Sequence, residues 1–232
     1  MLKRPPGGLR NVISTLNFLD WQRDNEVFNY MAAEGGWSVT LTGVDEPIQL
    51  RGGQVSAHYF DIFGVTAAHG RTFLPGEDQL GNDRVVVLTH ALWTSRFGAD
   101  PSLLDQTILL NGEPHTVVGV LPAGSAFDRG FRQIWRPLAF QPSNMTRNFH
   151  WLSSIAQLND GVSLDQAQAN LDTIAARLEA EFPESNKGWG AVVERAESSL
   201  LRQSQRPYQR RTTHAAAGGH RGGPRRRTRP GG

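Results

Sequence analysis

The segment VVVLTHALWTSRFG, residues 85–98, decides whether this chain is a reactive protein or a scaffold. Its first residues are β-branched, which is typical of a buried strand, and the rest has the apolar spacing of a short helix. Thr89 and His90 stand at the joint between the two. Hydrolases and nucleotide-binding proteins often carry their chemistry at such a strand–helix joint.

The residue types at this joint favour a helix cap. A nucleophile elbow requires Gly-x-Ser-x-Gly, whereas the joint reads Leu88-Thr89-His90-Ala91-Leu92. A phosphate-binding loop requires clustered glycines before the helix, and the sequence has none here. A threonine in front of a helix commonly accepts a hydrogen bond from a free backbone amide of the first turn. We therefore predict that Thr89 caps the helix and that the joint belongs to the framework.

The pattern around the joint predicts a mixed order of strands and helices. Before the joint we predict a helix over 16–34 capped by Ser14, strands over 37–43 and 48–56 with a bulge or kink at Gly52–Gly53, and a helical turn ended by Gly64. After it we predict a hairpin around Asn111–Gly112, strands over 134–138, 150–160 and 188–196, and a helix over 163–182 that starts with the capping box Ser163–Gln166. About seven or eight strands and four helices in this order predict an α+β fold built on a mixed sheet, with short helices and one long amphipathic C-terminal helix.

Composition excludes several classes of chemistry. Hydrophobic residues make up 38% of the chain, which is enough for a packed core. The chain has no cysteine, so disulfides, cysteine-ligated zinc and thiol nucleophiles are excluded. The sequence as written has no apolar run of about 18 residues and no signal-peptide core, so we expect no membrane span and no export signal in it.

The net charge of +2 hides an acidic body and a basic end. Residues 202–232 contain nine arginines and no acid, so residues 1–201 carry +2 − 9 = −7. We predict that 199–232 is a disordered Arg/Gly-rich tail. Two interpretations stay open for it: an arm for nucleic acid or anionic lipid, and an out-of-frame end of a GC-rich gene.

Other candidate groups lack the spacing that catalysis or metal binding requires. No histidine pair has i, i+4 spacing within a predicted helix and no HExxH motif occurs, which argues against a local metal site. The carboxylate pairs are expected to be solvated surface charge, and the Gly188–Gly190 segment lacks the context of a phosphate loop. We predict no catalytic, cofactor-binding or metal-binding residues. The histidines are His58, His69, His90, His115, His150, His214 and His220, and the carboxylate pairs are Asp45–Glu46, Glu77–Asp78 and Glu179–Glu181.

Several segments taken together resemble a known family. In order along the chain these are the Tyr-Phe-Asp-x-x-Gly turn at 59–64, the Gly-Arg-x-Phe loop at 70–73, the Leu-Trp-x-x-Arg-Phe-Gly helix at 92–98 and the Asn-Gly hairpin at 111–112. They are similar to the MacB-like periplasmic core domain of FtsX-like ABC-transporter permeases. The segment 158–186, with the long helix, resembles the later part of the same domain.

The resemblance implies a two-lobed extracytoplasmic domain over 14–198. Lobe one would comprise about 14–50 and 146–198, and lobe two about 51–145. The implied role is non-enzymatic coupling or scaffolding in transport or export, at the periplasmic face of the inner membrane.

The implied partners are a transmembrane permease region and a cytoplasmic ATPase subunit, together with a second copy of the domain or a periplasmic adaptor. The transmembrane helices of the family are missing from this sequence, so the resemblance also implies a fragment. The alternative is a nucleic-acid-binding protein that uses the arginine-rich tail, and a metal-dependent enzyme is a third hypothesis.

A coupling domain needs stiff lobes and a deformable connection between them. We expect the stiffness to come from the hairpin, the long helix and a set of aromatic residues. We expect hinges near Arg51–Gly53 and Gln141–Asn148, where the chain is glycine-rich or polar. The aromatic residues are Phe60, Phe63, Phe73, Trp93 and Phe97.

Overall fold

The computed structural model describes residues 2–4 and 12–196, and the predicted tail over 199–232 lies outside the described residues. The strands are β1 (Leu2–Arg4), β2 (Ile13–Ser14), β3 (Phe28–Thr42), β4 (Ile48–Val55), β5 (His69–Gly70), β6 (Val85–Leu88), β7 (Thr107–Leu110), β8 (Glu113–Val120), β9 (Ile134–Pro137), β10 (His150–Leu158) and β11 (Gly190–Val192). The helices are α1 (Thr15–Asp24), α2 (Tyr59–Ile62), α3 (His90–Phe97), α4 (Leu164–Glu181) and α5 (Pro183–Asn186), with short 3₁₀ turns at Pro101–Leu103 and Pro142–Asn144.

Most of the described strands form one mixed sheet. Its order is β2-β10-β3-β4-β9-β6-β8-β5, and β7 pairs with both β3 and β8. The pairs β4–β9 and β6–β8 are parallel, and the other pairs of this sheet are antiparallel. A separate pair joins β1 to β11. The predicted α+β class with a mixed sheet is therefore confirmed.

The long strand β3 corrects one prediction. The expected helix over 16–34 ends at Asp24, and residues 28–42 are strand instead. Asn25 makes the break, because its side chain donates to the Gln22 carbonyl (2.9 Å) and accepts from the Phe28 amide (3.0 Å). The apolar residues 27–33 fit a helical period by spacing, but β10 pairs with this segment, and β4 pairs with the strand from Glu34 onward. Tertiary pairing thus overrides the local pattern.

The local predictions around the hairpin and the long helix are confirmed. Asn111 and Gly112 have φ values of 53° and 79°, as a type I′ turn requires. The side chain of Asn111 also accepts from the Thr40 amide (2.8 Å), which docks the turn onto β3. The capping box of Ser163 and Gln166 starts α4 at Leu164. This helix is followed by α5 and β11, so it is not the last element.

Three apolar clusters pack against the sheet. The first lies between α1, α4 and the β10 side of the sheet, the second lies under α3 and the hairpin, and the third lies under α2. Strand β3 contributes to all of them, through Ala33 to the first, Val39 to the second and Ala32 to the third. Because one strand takes part in every cluster, the clusters cannot separate without breaking its pairing.

The pairing of β3 with β4 is regular through a run of glycines. Gly36 lies opposite Gly53 and Trp37 lies opposite Gly52, with no shift of register, so the predicted bulge at Gly52–Gly53 is wrong. At Gly35, Gly52 and Gly53 large rings cover the backbone and leave no room for a side chain. A Cβ on Gly52 would come within 2.6 Å of the Trp37 ring.

Gly119 in β8 gives a direct test of backbone packing. A methyl group there would collide with the carbonyl oxygen of Arg71, which is a backbone atom and cannot turn away. We expect Gly119→Ala to lower the free energy of unfolding by about 1–3 kcal/mol in urea titrations.

Gly36→Ala is the matched control, because Gly36 is an exposed strand glycine with no atom within 4 Å of the added Cβ. We expect it to change the free energy of unfolding by no more than about 0.5 kcal/mol. Equal losses in the two variants would contradict the packing described for β8.

Candidate functional site

The strand–helix joint is built as a helix cap. Thr89 is buried, and its Oγ1 accepts from the Leu92 amide (3.2 Å) while its carbonyl accepts from the Trp93 amide (3.1 Å). Its own amide donates to the Gln133 carbonyl (3.0 Å). The predicted capping role of Thr89 is confirmed, and every polar group of this residue is engaged in structure.

An acid that the sequence did not point to completes the joint. Asp128 accepts from the Ala91 amide (2.7 Å) with one oxygen and from the Gly124 amide (2.8 Å) with the other. A carboxylate at the first turn also interacts favourably with the helix dipole. Asp128 is far from Ala91 in sequence, so no local pattern could have assigned it. Both of its oxygens hold backbone, and the carboxylate orients the loop before β9.

The carboxylate pairs lie far apart in the fold, and one prediction about them was wrong. Glu77 makes a two-point ion pair with Arg71 (2.7 and 2.9 Å) and accepts from the Leu74 amide (2.8 Å). Asp78 accepts from the Ala57 amide (2.9 Å). Glu77 therefore holds the Gly-Arg-x-Phe loop, Asp78 fastens the following segment to the chain before α2, and neither is solvated surface charge. Asp45–Glu46 is exposed, as predicted.

The third carboxylate pair, Glu179 and Glu181, lies near the C-terminal end of α4. Glu179 accepts from the Gly188 amide (3.0 Å), and Glu181 pairs with Arg177 one turn earlier on the helix (2.8 Å). Gly188 has a φ of 71° and follows α5, so the Gly188–Gly190 segment is a turn into β11.

The described histidines are dispersed, and each contacts an aromatic ring. Among residues 12–196 no group of three or more His, Asp or Glu side chains could hold a metal ion. His115 is buried, and burial lowers its pKa below the ordinary value, which favours the neutral ring. His214 and His220 lie outside the described residues. The ring contacts are His58 with Tyr30, His69 and His90 with Trp93, His115 with Trp37, and His150 with Trp189.

A buried charge cluster lies on the α2 side of the sheet. The Tyr59 hydroxyl donates to one carboxylate oxygen of Glu34, and Arg132 forms an ion pair with the other. The Arg132 guanidinium also lies 5.1 Å from the Trp135 ring centroid. Burial, the Glu34 charge and this hydrogen bond raise the pKa of Tyr59 well above its ordinary value. The cluster ties β3, α2 and the loop before β9 together.

A second buried polar link joins α1 to the loop before β10. Arg147 donates to Asn17 Oδ1 (2.8 Å) and to Asp20 Oδ2 (2.6 Å), and its guanidinium lies 3.7 Å from the Phe182 ring centroid. Asn17 in turn donates to Asn186 Oδ1 (2.7 Å). This segment is one of the two predicted hinges, and Arg147 anchors it to α1 and to Phe182 between α4 and α5.

These two polar clusters hold distant elements of the fold together. Each of the two buried arginines is paired with a carboxylate, and each carboxylate has further donors around it. Charges satisfied in this way hold specific elements in register, because breaking one pair leaves an uncompensated buried charge. Sequence reasoning missed both clusters because their members come from distant segments.

The sequence matches a family of transport domains. The family model of the MacB-like periplasmic core domain matches residues 9–174. The macrolide export ATP-binding/permease protein MacB of Salmonella typhi is 28% identical over 127 residues, which cover 53% of this chain and 19% of that protein. The MacB protein of Salmonella paratyphi A matches over the same shares. The aligned region thus spans about a fifth of the length of these relatives.

Solved structures share the fold at low sequence identity. The extracellular domain of the noncanonic ABC-type transporter YknZ from Gram-positive bacteria superimposes with a TM-score of 0.58 at 17% identity, over 78% of this chain and 90% of that chain. The periplasmic region of MacB from Actinobacillus actinomycetemcomitans gives 0.57 at 18%, over 77% and 78%. A domain of a putative permease protein from Porphyromonas gingivalis gives 0.57 at 14%, over 87% and 92%.

Among the described residues, no helix is both long enough and apolar enough to cross a membrane. The resemblance predicted from the order of motifs, and the periplasmic location that goes with it, are confirmed by the family match. The chain belongs to the MacB-like periplasmic core domain family.

Proposed function

We propose that this chain is a non-catalytic coupling domain of an ABC-transporter permease, which passes a conformational change between a membrane region and its surroundings outside the membrane. The observation that carries the proposal is the pairing of β1 with β11. Leu2 lies opposite Val192 and Arg4 lies opposite Gly190, so the two ends of the domain run side by side. A domain inserted between two neighbouring membrane spans needs its ends close together.

The sheet supports the mechanical part of this role. Strand β3 has 15 residues and contributes to all three apolar clusters, so a displacement at one cluster is transmitted along one paired strand. The glycines of β3 and β4 pair near the middle of β3, and glycine in a strand interior weakens the strand even where aromatic rings cover it. We propose that the sheet bends here, which keeps the predicted hinge at Arg51–Gly53 but moves it into the sheet.

The division into two lobes stays a prediction, with one refinement. The predicted boundary places residues 14–50 with 146–198, yet Val39, Leu41 and Leu50 pack into the cluster under α3. We therefore propose that the boundary passes through β3 near Gly36, with the first cluster in lobe one and the other two in lobe two.

The proposed partners follow from the family and from the names of the relatives. The Salmonella relatives are named as ATP-binding/permease proteins, so we propose that this domain works with a membrane permease region and a cytoplasmic ATPase. We propose that further sequence or a separate chain supplies the membrane region. A second copy or a periplasmic adaptor as partner is the finer proposal. None of the relatives and structures named above is described as a nucleic-acid-binding protein. The alternative of nucleic-acid binding depends on the arginine-rich tail, which lies outside the residues that the structure describes.

Isolation from the membranes of the source organism tests the proposal. The tagged full chain, extracted in mild detergent, should co-purify with an ABC-type ATPase in a fixed ratio. Recovery of the chain alone, from membrane and aqueous fractions alike, would count against a coupling role.

We expect no turnover by the purified chain. Ester, phosphate-ester and nucleic-acid substrates should react at the buffer rate with and without Mg²⁺, Mn²⁺ or Zn²⁺. The reason is that Thr89 and Asp128 at the strand–helix joint already hydrogen-bond to backbone groups. His90→Ala and Glu77→Gln serve as the diagnostic variants. Any turnover that these variants abolish would overturn the non-catalytic assignment.

The buried hydroxyl of Tyr59 makes stability depend on pH in the alkaline range. The pKa of Tyr59 is raised in the folded state, so its stabilising effect is complete below about pH 10 and is lost as the pH rises further. Above about pH 10 the wild-type free energy of unfolding should fall by up to about 1.4 kcal/mol per pH unit more steeply than that of Tyr59→Phe.

Urea titrations between about pH 8 and about pH 11.5, followed by circular dichroism, give the free energy of unfolding at each pH. The slope against pH is then compared between the wild type and Tyr59→Phe. Tyr30→Phe removes a hydroxyl outside the cluster and should keep the wild-type slope. Parallel slopes for wild type and Tyr59→Phe would contradict the buried arrangement of Tyr59 and Glu34.

A further inference from the structure

Arg136 of β9 is held on the sheet by an amide side chain and an aromatic ring. Its Nε and Nη2 donate to Gln54 Oε1 (3.3 and 2.7 Å), and its guanidinium carbon lies 4.6 Å from the centroid of the Trp37 ring. Gln54 is itself fixed, because its Nε2 donates to the Gly36 carbonyl (3.2 Å). The guanidinium is thus oriented on one edge by an amide and on one face by an indole.

The other partly buried arginines each form an ion pair with a carboxylate. Within residues 12–196 the arginines that are not exposed are Arg71, Arg132, Arg136 and Arg147. Arg71 pairs with Glu77, Arg132 with Glu34 and Arg147 with Asp20. In the same part of the chain, Arg136 has no carboxylate within 4.0 Å.

The Arg136 guanidinium loses solvation in this position, and a bound anion would offset that loss. Burial lowers the pKa of Arg136 because the charged guanidinium loses solvation, and the charges of Asp83 and Glu113 offset only part of this effect. The carboxylates of Asp83 and Glu113 act on it only from beyond ion-pair distance. The Nη1 group and the adjoining Nη2 hydrogen remain as donors, because Gln54 uses only the Nε side of the fork.

We propose that Arg136, stacked on Trp37 and oriented by Gln54, is a binding site for a carboxylate group. The Nη1–Nη2 edge makes no hydrogen bond to Gln54 and presents two parallel N–H donors, which match the two oxygens of a carboxylate. The stacking and the amide hold the guanidinium in place, so little side-chain entropy is lost on binding.

The negative charges around Arg136 disfavour a multiply charged anion more than a singly charged one. Residues 1–201 carry a net charge of −7, and Asp83 and Glu113 add negative potential near the site. A doubly charged phosphate is repelled more strongly by these groups than a carboxylate. The carboxylate could belong to an acidic side chain of a partner protein or to a small molecule, and both share the same chemistry.

Nuclear magnetic resonance titration of the isotope-labelled full chain tests the proposal. The Arg136 Nε–H and Trp37 indole N–H signals are followed against sodium acetate, an acetylated and amidated Gly-Glu-Gly peptide with a single carboxylate, sodium phosphate and sodium chloride at equal ionic strength. We expect saturable shifts with acetate and with the peptide at concentrations about tenfold below those at which phosphate or chloride has an effect. Saturation by the peptide well before acetate identifies a protein carboxylate as the source, and the reverse order identifies a small molecule.

Two variants separate site binding from general charge effects. Arg136→Lys keeps the charge but loses the fork, and it should weaken acetate binding about tenfold. Arg51→Gln removes an exposed charge on the neighbouring strand and should leave the titration unchanged. Linear shifts that chloride reproduces in the wild type, or equal binding by Arg136→Lys, would overturn the proposal. The wild-type titration decides the question even if Arg136→Lys fails to fold.

Discussion

The pairing of β3 on both of its sides is the constraint on which the rest of the structure depends. Its first half pairs with β10, and β4 pairs with it from Glu34 to Leu41. Because its residues enter all three apolar clusters, the covering helices are positioned relative to one another through this one strand. The buried pair of Glu34 and Arg132 then fixes a distant loop onto the same strand.

The proposed coupling role places stiffness and deformability in different parts of the domain. Aromatic packing around Tyr59 and Phe60, with ring centroids 5.8 Å apart, and the ion pairs around it resist local rearrangement. The glycines shared by β3 and β4 have no side chains to interlock, although their backbones are fully paired. A domain that transmits a displacement needs both properties, and here they occur side by side in one sheet.

The sequence allowed prediction of the elements that local chemistry specifies. Thr89, the Asn111–Gly112 turn and the Ser163 capping box each depend on neighbouring residues, and each is found in the structure as predicted. The first half of β3 was predicted as helix, because apolar residues in a short segment satisfy either period and only pairing decides between them. The partners of Arg132 and Arg147 were not predictable, since they come from segments that meet only in the folded chain.

Native-state hydrogen exchange along β3 tests the central claim most directly. If β3 joins the clusters into one mechanical unit, the amides of Ala32 and Val39 exchange only through global unfolding and share one protection free energy. Exchange of one of these amides through a separate, lower-energy opening would contradict this claim, because the two halves of the strand would then belong to independently opening parts.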